Sequence, residues 1–341
     1  NMTCKMLFFD YRESEKQFFE NHKCDYFDLK FFNHPLNEET VETLSEEDLA
    51  QTMIVSVFTT SHITEKVLDK FKNLRIISTR STGVNHIDAK PCIDKNIALI
   101  NVEGYACKSV AQFTFTIILM LVRHLLPAIE SVRRGVCVLS SFTGQDPDSL
   151  VLGVVGTGSI GCAVCEIAAS LGMKILAYDP SPKKELVKKY KVQYVDFEEL
   201  LKFSDVITLH VPYCQDNRHF ISAKQFKMMK DGVYFVNASR GELVNLQDLL
   251  KFVKSGHIKG VGLDVVACLD SSCLEESKVN EKKALMCLEE SNVVQELNKQ
   301  PNVIITPHIA YDTQESVDFV LAQTFVGVKD FLYGGTKYRV F

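Results

Sequence analysis

Glycines at 156, 158 and 161 and a carboxylate at Asp179 have the spacing in this sequence that implies chemistry most directly. They stand in the run Val151-Leu152-Gly153-Val154-Val155-Gly156-Thr157-Gly158-Ser159-Ile160-Gly161, an apolar segment entering a GxGxxG turn, with the acid following roughly 20 residues on. Gly156 suits a tight turn off a strand, Gly158 lets backbone approach a pyrophosphate, and Gly161 lets the following helix pack closely. Ser159 and Ile160 open that helix, whose N-terminal N–H groups and partial positive charge favour phosphate. Asp179 can accept hydrogen bonds from an adenosine ribose and would repel a 2′-phosphate, which selects NAD over NADP. A GxGxxG turn alone is weak, but this one follows an apolar run, opens a helix and meets an acid at the expected distance.

The elements that must position these residues are legible on either side. Cys162 to Leu171 reads as a helix and Lys174 to Asp179 as a second buried strand, completing a βαβ unit. Before it, strands are predicted at Met6–Asp10, Tyr26–Phe32, Thr52–Phe58, Leu74–Thr79 and Ile97–Asn101, with helices at Glu13–His22 and Thr64–Lys72. One long helical run from Lys108 to Val122, continuing to about Arg134, leads into the glycine turn. After Asp179, strands are predicted at Val206–His210, Val233–Asn237, Gly260–Asp264 and Val303–Thr306, with helices at Ala223–Met229, Leu246–Ser255 and Gln314–Tyr333. The alternation predicts α/β domains with parallel sheets. The stretch from Asp264 to Pro301, charged and helical in its second half, is long enough to suggest a functional flap or a docking helix.

The chain has 341 residues, enough for two domains, and a formal charge of −5 that gives no footprint for nucleic acid or an anionic membrane. No apolar run is long enough for a transmembrane helix, and Asn1-Met2-Thr3-Cys4-Lys5 lacks the layout of a signal peptide, so a soluble, cytoplasmic protein is expected. The 11 cysteines are odd in number and scattered, which suits reduced thiols better than a disulfide framework. Cys162 and Cys165 form a CxxC with no second ligand pair nearby, and read as small side chains packing on a sheet. No metal site is expected; the acidic residues of 270–290 read as a solvated face.

Further motifs occur in order: Arg80-Ser81-Thr82-Gly83-Val84-Asn85-His86-Ile87-Asp88, His210-Val211-Pro212, Asn237-Ala238-Ser239-Arg240-Gly241-Glu242-Leu243-Val244-Asn245, Gly262-Leu263-Asp264-Val265 and Thr306-Pro307-His308-Ile309-Ala310-Tyr311. With the glycine turn, these make the chain resemble the D-isomer-specific 2-hydroxyacid dehydrogenases over nearly its whole length, most closely their D-lactate dehydrogenase branch. The resemblance implies a Rossmann-type NAD-binding domain, residues 104–308, inserted in a smaller flavodoxin-like substrate domain made of 1–103 and 309–341. It implies NAD as cofactor, a small 2-oxo or 2-hydroxy acid as substrate, and a homodimer through the NAD-binding domain. The richly apolar run Lys108 to Val122 suits such an interface, although a buried core helix would read the same.

Reducing a 2-oxo acid needs a cation for the carboxylate, a proton donor for the developing alkoxide and a hydride donor. Arg240 suits the first role, since its planar fork can hold a carboxylate and a carbonyl oxygen together, and it follows a predicted strand where α/β sheets bind ligands. His308, in a turn after a strand, suits the proton transfer and matches the family's acid/base. The resemblance further implies that Ser81, Thr82, Gly83 and Val84 bind the far side of the carboxylate through backbone N–H groups, and that Asp264 holds the nicotinamide carboxamide. His210, Val211, Pro212, Ala238 and Val110 are expected on the cofactor side, and Tyr105 and Tyr311 beside the substrate.

One position departs from the family. A glutamate five residues after the Asp264 equivalent there hydrogen-bonds the catalytic histidine, whereas this chain has Leu269, and the nearest carboxylate is Asp270. A leucine cannot orient an imidazole or stabilise its cation. Three explanations stay open: a loop shift places Asp270 on His308 as a third catalytic residue; turnover is slow with a lower pH optimum; or catalysis is lost and an NAD(H)-binding regulatory or interaction protein remains. The expectation is an NAD-dependent reduction of a small 2-oxo acid, pyruvate to D-lactate.

Overall fold

The computed structural model of the protein describes residues 4–104, 106–136, 142–267 and 281–341, without the side chains of 281–286. The chain forms two compact units, Asn1–Tyr105 with Asp312–Phe341, and Ala106–Tyr311.

In the first unit, β1 (Cys4–Phe8), β2 (Phe27–Phe31), β3 (Ile54–Val57), β4 (Ile76–Thr79) and β5 (Ala98–Ile100) form a parallel sheet in the order β2-β1-β3-β4-β5. That is the flavodoxin-like order, reversing direction between β1 and β3. Alternation along β1 sends Met6 and Phe8 to one face and Leu7 with Phe9 to the other. Phe18 of α1 (Glu13–Asn21) and Leu321, Phe325 and Val328 of the C-terminal helix Gln314–Leu332 cover the first face. The second is covered by Val67 and Leu68 of α3 (Glu65–Lys70) and Cys92 of α4 (Ala89–Asp94), while Leu44 precedes the short α2 (Glu46–Gln51). Burial on both faces is why β3 and β4 read as continuous apolar or small-residue runs.

The second unit opens with α5 (Cys107–Val122) and α6 (Leu125–Arg133). It continues through β6 (Val151–Val155), α7 (Ser159–Ser170), β7 (Lys174–Tyr178), α8 (Lys184–Tyr190), β8 (Gln193–Tyr194) and α9 (Phe197–Phe203). Next come β9 (Val206–Leu209), α10 (Ala223–Met228), β10 (Val233–Asn237), α11 (Leu246–Lys254), β11 (Ile258–Leu263), α12 (Glu281–Asn298) and β12 (Val303–Ile305). All seven strands are parallel, in the order β12-β11-β10-β9-β6-β7-β8. The direction of the order changes between β6 and β9, the place where doubly wound sheets bind ligands beyond the strand ends.

Several expectations change. The helical run predicted from Lys108 to about Arg134 is two helices bent by 65° at a break where His124 takes a left-handed φ of +50°. The sequence signal for the break is Pro127, which has no N–H and whose ring clashes with a carbonyl four residues back, so it fits only the first turn of a new helix. The apolar face of α5 packs on α7, β10 and β11, with Ile117, Ile118 and Leu121 buried, so its apolarity serves its own unit's core. The exposed apolar stripe lies further on, at Leu125, Ile129, Val132 and Val136. The second half of the long 265–300 segment is α12, which packs on α11 and β12 and buries Val294 and Leu297. It is therefore a core-covering helix rather than a flap over this stretch.

Cys165 is buried in the core and burial pushes its thiol up to about 12, as suits an inert packing residue on α7. Cys287 departs from the expected reduced thiols, for it is disulfide-bonded. Scatter along the sequence does not reveal which cysteines fold together. Among the described residues, no single helix is long and apolar enough to cross a membrane.

Candidate active site

The candidate residues of the larger unit emerge along one edge of its sheet. Strand by strand, the C-terminal ends carry Asp179 after β7, the glycine turn after β6, His210 after β9, Arg240 after β10, Asp264 after β11 and His308 after β12. Six neighbouring loops thus present, in order, a carboxylate, a glycine turn, a histidine, a guanidinium, a second carboxylate and a second histidine. A cavity of about 200 Å³ lined by Met120, Leu121, His124, Lys259 and Ile304 lies by the start of β11 and includes none of these residues.

The three glycines divide their tasks. Gly156 has a φ of +92°, and a Cβ there would lie 2.6 Å from the His210 carbonyl oxygen, so the turn packs directly on the loop after β9. A Cβ at Gly161 would lie 2.0 Å from the Gly156 carbonyl oxygen, so the helix can approach the turn only without one. At Gly158 a Cβ would meet nothing within 4 Å. The open space in front of Gly158, beside the first N–H groups of α7, is where a pyrophosphate fits.

Asp179 holds this turn as well as facing outward. Its Oδ2 accepts from the Thr157 N–H at 2.6 Å and the Thr157 hydroxyl at 3.1 Å, and its Oδ1 accepts from the Ser181 N–H at 2.8 Å. The Tyr194 hydroxyl lies 2.9 Å from Thr157 Oγ1 and extends the network. Burial pushes the Asp179 carboxyl up, but these hydrogen bonds and the Lys183 ammonium together hold it below the usual carboxylate range. An anion with acceptor capacity left on Oδ1 is what a ribose diol requires. The residues present therefore fit NAD, with Gly158, Ser159 and Ile160 at the pyrophosphate and Asp179 at the ribose.

His210 pairs its Nε2 with Thr208 Oγ1 at 2.9 Å, and its buried Nδ1 has no hydrogen-bond partner among the described residues. Burial pushes its pKa down to about 3, so the ring is neutral. The Val211 carbonyl accepts from the Ser239 hydroxyl, joining this loop to the one carrying Arg240, while the Pro212 carbonyl accepts from Asn217 Nδ2 at 2.8 Å. Val110 of α5, Ala238 and Ala310 pack together with Ile160 and Tyr311, so one small apolar cluster links four candidate residues to the turn after β12.

Arg240 is exposed, with its Nη1 donating to the Ser239 carbonyl at 2.7 Å. Its loop is shaped by Asn237, fully buried at the end of β10, which accepts from the Ser239 N–H at 3.0 Å and donates to the Arg240 carbonyl at 2.8 Å. A Cβ at Gly241 would lie 2.2 Å from the Ala267 backbone nitrogen, so the residue after Arg240 must be small. His308 takes a φ of +57°, a conformation that is costly for a residue with a Cβ and concentrates at functional sites. Its ring meets Tyr311 edge to face, with centroids 6.1 Å apart.

Asn237 and Gly241 escaped sequence reading. An asparagine ending a strand and bonding the N–H two residues on is an Asx turn, a signal available in Asn237-Ala238-Ser239. The need for Gly241 depends on a contact with residues 266–267 and carries no local signal.

In the smaller unit the carbonyls of Ser81 to Val84 are all engaged, accepting from Val102 N–H (3.2 Å), Asn101 Nδ2 (3.0 Å), Ser81 Oγ (2.7 Å) and Ile87 N–H (3.0 Å) in turn. Their backbone N–H groups donate to nothing among the described residues. Carbonyls tied back and N–H groups left over are what an anion-binding nest requires. The preceding Arg80 is fully buried and donates to Ser56 Oγ at 2.8 Å and the Phe9 carbonyl at 2.7 Å, while its Nε lies 3.2 Å from Glu15 Oε1. This anchor was also missed, because an arginine at a strand end reads as exposed. Tyr105, Leu269 and Asp270 lie outside the described residues.

Residues 115–310 match the sequence profile of the D-isomer specific 2-hydroxyacid dehydrogenase NAD binding domain. The chain belongs to the D-isomer-specific 2-hydroxyacid dehydrogenases. Its curated relatives in this family include a D-specific alpha-keto acid dehydrogenase of Enterococcus faecium, 36% identical over 81% of this chain and 82% of that protein. An aromatic 2-oxoacid reductase of Clostridium sporogenes is 33% identical over 83% of each. Among solved structures, the D-lactate dehydrogenase of Aquifex aeolicus complexed with NAD and lactic acid is 34% identical, with a TM-score of 0.79 over 96% of both chains. The cofactor of this dehydrogenase is NAD, and its fold is the Rossmann-type α/β arrangement described above.

Proposed function

We propose that this dehydrogenase reduces a small 2-oxo acid, pyruvate, to the D-2-hydroxy acid, D-lactate. The observation that carries the reading is the placement of Arg240 and His308 after β10 and β12, the two strands flanking β11, on the edge that also bears the glycine turn. Bound NADH supplies the hydride that reduces the substrate C2. The Arg240 guanidinium holds the substrate carboxylate and polarises the ketone oxygen, fixing which face of C2 is presented. His308 donates the proton that the ketone oxygen takes up as it becomes a hydroxyl, and takes it back in the reverse direction. The free N–H groups of Ser81 to Val84 are the smaller unit's own carboxylate receptor, and Asn1–Tyr105 with Asp312–Phe341 is the substrate domain. Pyruvate is favoured because several structural relatives are D-lactate dehydrogenases; the aromatic 2-oxoacid reductases set the competing size class.

The exposed stripe Leu125, Ile129, Val132 and Val136 supports a homodimer through the NAD-binding unit, to be checked by sedimentation velocity of Val132→Glu.

Leu269 favours a second reading, an NAD(H)-binding protein with impaired catalysis. NADH oxidation with pyruvate and with a bulkier 2-oxo acid, from pH 5 to 8, decides between them. Turnover by the unmodified protein supports the dehydrogenase, and its loss in Asp270→Asn assigns that carboxylate. Tight NADH binding without reduction, with turnover restored by Leu269→Glu, supports the second reading.

A further inference from the structure

Asp264 is, among the described residues of the larger unit, the one buried carboxylate, 1% exposed at the end of β11. No lysine or arginine pairs with it among the described residues. Its charge is met by three donors from the turn after β12. Oδ1 accepts from the Thr306 hydroxyl at 2.6 Å and the Ile309 N–H at 2.9 Å, and Oδ2 accepts from the Ala310 N–H at 2.8 Å. The backbone completes the clamp: Asp264 N–H donates to the Asn237 carbonyl at 3.0 Å, and Thr306 N–H donates to the Leu263 carbonyl at 2.9 Å. Asp264 therefore joins the ends of β10 and β12 through one residue.

The three side-chain bonds bracket His308. Thr306 lies two residues before it and Ile309 and Ala310 are the two that follow, while the His308 N–H closes a tight turn onto the Thr306 carbonyl at 3.0 Å. A residue with a φ of +57° keeps that conformation only when its surroundings over-determine it, and charge-assisted bonds to the next two N–H groups do so. The family resemblance gives Asp264 to the nicotinamide carboxamide, but most of its acceptor capacity here is spent on the turn.

We propose that Asp264 is a positioning residue for His308, clamping the turn after β12 so that the imidazole is presented from a left-handed backbone. The functional half of this inference rests on reading His308 as the acid/base; the clamp itself does not.

The test compares the unmodified enzyme with Asp264→Asn and with Thr306→Val, which removes one of the three bonds and leaves the carboxylate. Amide hydrogen exchange is followed across 306–311, NADH affinity by fluorescence titration, and kcat and KM separately across pH. In Asp264→Asn, exchange of the Ile309 and Ala310 amides should rise about tenfold. Its kcat should fall about 100-fold from displacement of the acid/base, with NADH affinity held within about threefold and substrate KM little changed, since Arg240 stands on another strand. Thr306→Val should move exchange and kcat in the same direction by less. Unchanged exchange with NADH affinity weakened about tenfold or more would overturn the proposal and give the carboxylate to the cofactor. If the unmodified protein reduces no 2-oxo acid, the proposed function fails on that result, and the exchange data still decide the clamp.

Discussion

Replacing Gly158 with alanine separates what the turn needs from what its ligand needs. The backbone at Gly158 has φ −64° and ψ −165°, accessible to any L-residue, and the added methyl would meet no protein atom within 4 Å. Folding stability should therefore hold or rise by about 0.4–1 kcal/mol, as when a chain loses glycine's freedom only in the unfolded state. The same methyl would stand in the space beside the first N–H groups of α7, where the pyrophosphate must come close. Forcing a methyl into a packed contact costs about 1–3 kcal/mol, which corresponds to a weakening of NADH binding by roughly 5- to 150-fold. Gly161→Ala is the matched opposite, its Cβ 2.0 Å from the Gly156 carbonyl oxygen. There α7 must shift from the turn, and stability should fall by about 2 kcal/mol or more. Calorimetry and an NADH fluorescence titration on the three proteins read both quantities. A Gly158→Ala protein that is stable and binds NADH within about twofold of the unmodified chain would refute the placement of the pyrophosphate at Gly158.

Arg240→Lys keeps the charge but loses the planar fork, so kcat/KM for pyruvate should fall by about 10- to 100-fold while NADH affinity is unchanged; equal activity would remove Arg240 from the carboxylate. Asp179→Ser should shift the NADPH to NADH ratio of kcat/KM toward NADPH. Because Asp179 also holds Thr157, it should weaken NADH binding too, and Thr157→Val should weaken binding without moving the ratio. Buried His86, its Nε2 2.9 Å from Thr79 Oγ1, has its pKa pushed down from 6.5 to about 4 by burial, with Asp10 opposing and His62 adding. Above pH 6.5 it costs nothing. As the pH falls from 6.5 to 4 the unfolded chain takes the proton that the folded one refuses, so about 3 kcal/mol is lost across that window and no more below it. Urea unfolding at pH 7 and pH 4.5 should show that loss reduced in His86→Gln, and identical pH dependence in the two proteins would count against the buried neutral ring.

What sequence reading reached and what it missed differ in the range of the contacts involved. Gly156, Gly158, Gly161 and Asp179 were legible because a strand, a turn and a helix in one βαβ unit set their spacing. Arg240 and His308 were legible as residues at strand ends, since a polar side chain just past a buried run falls on the binding edge of a parallel sheet. The same logic gave Asp264 its place and not its bonds. Its three side-chain partners lie more than 40 residues on, and only the neighbouring of β11 and β12 brings them together. Asp179 is the converse. A carboxylate at that spacing reads as a ribose acceptor, yet two of its three bonds close the glycine turn itself, so it also shapes that turn. Asp264 and Asn237 share this feature: each ends a buried strand and spends its side chain on the loop that carries the chemistry. The sheet edge thus has two rows, one reached by solvent, with Arg240 exposed and His308 half-buried, the other buried and made of Asn237 and Asp264. The solvent-reached row is read from residue type. In the buried row Asn237 bonds residues two and three positions on and leaves a local signal, whereas the bonds of Asp264 are read only from which strands are neighbours, because a buried polar group must find its partners wherever the fold supplies them.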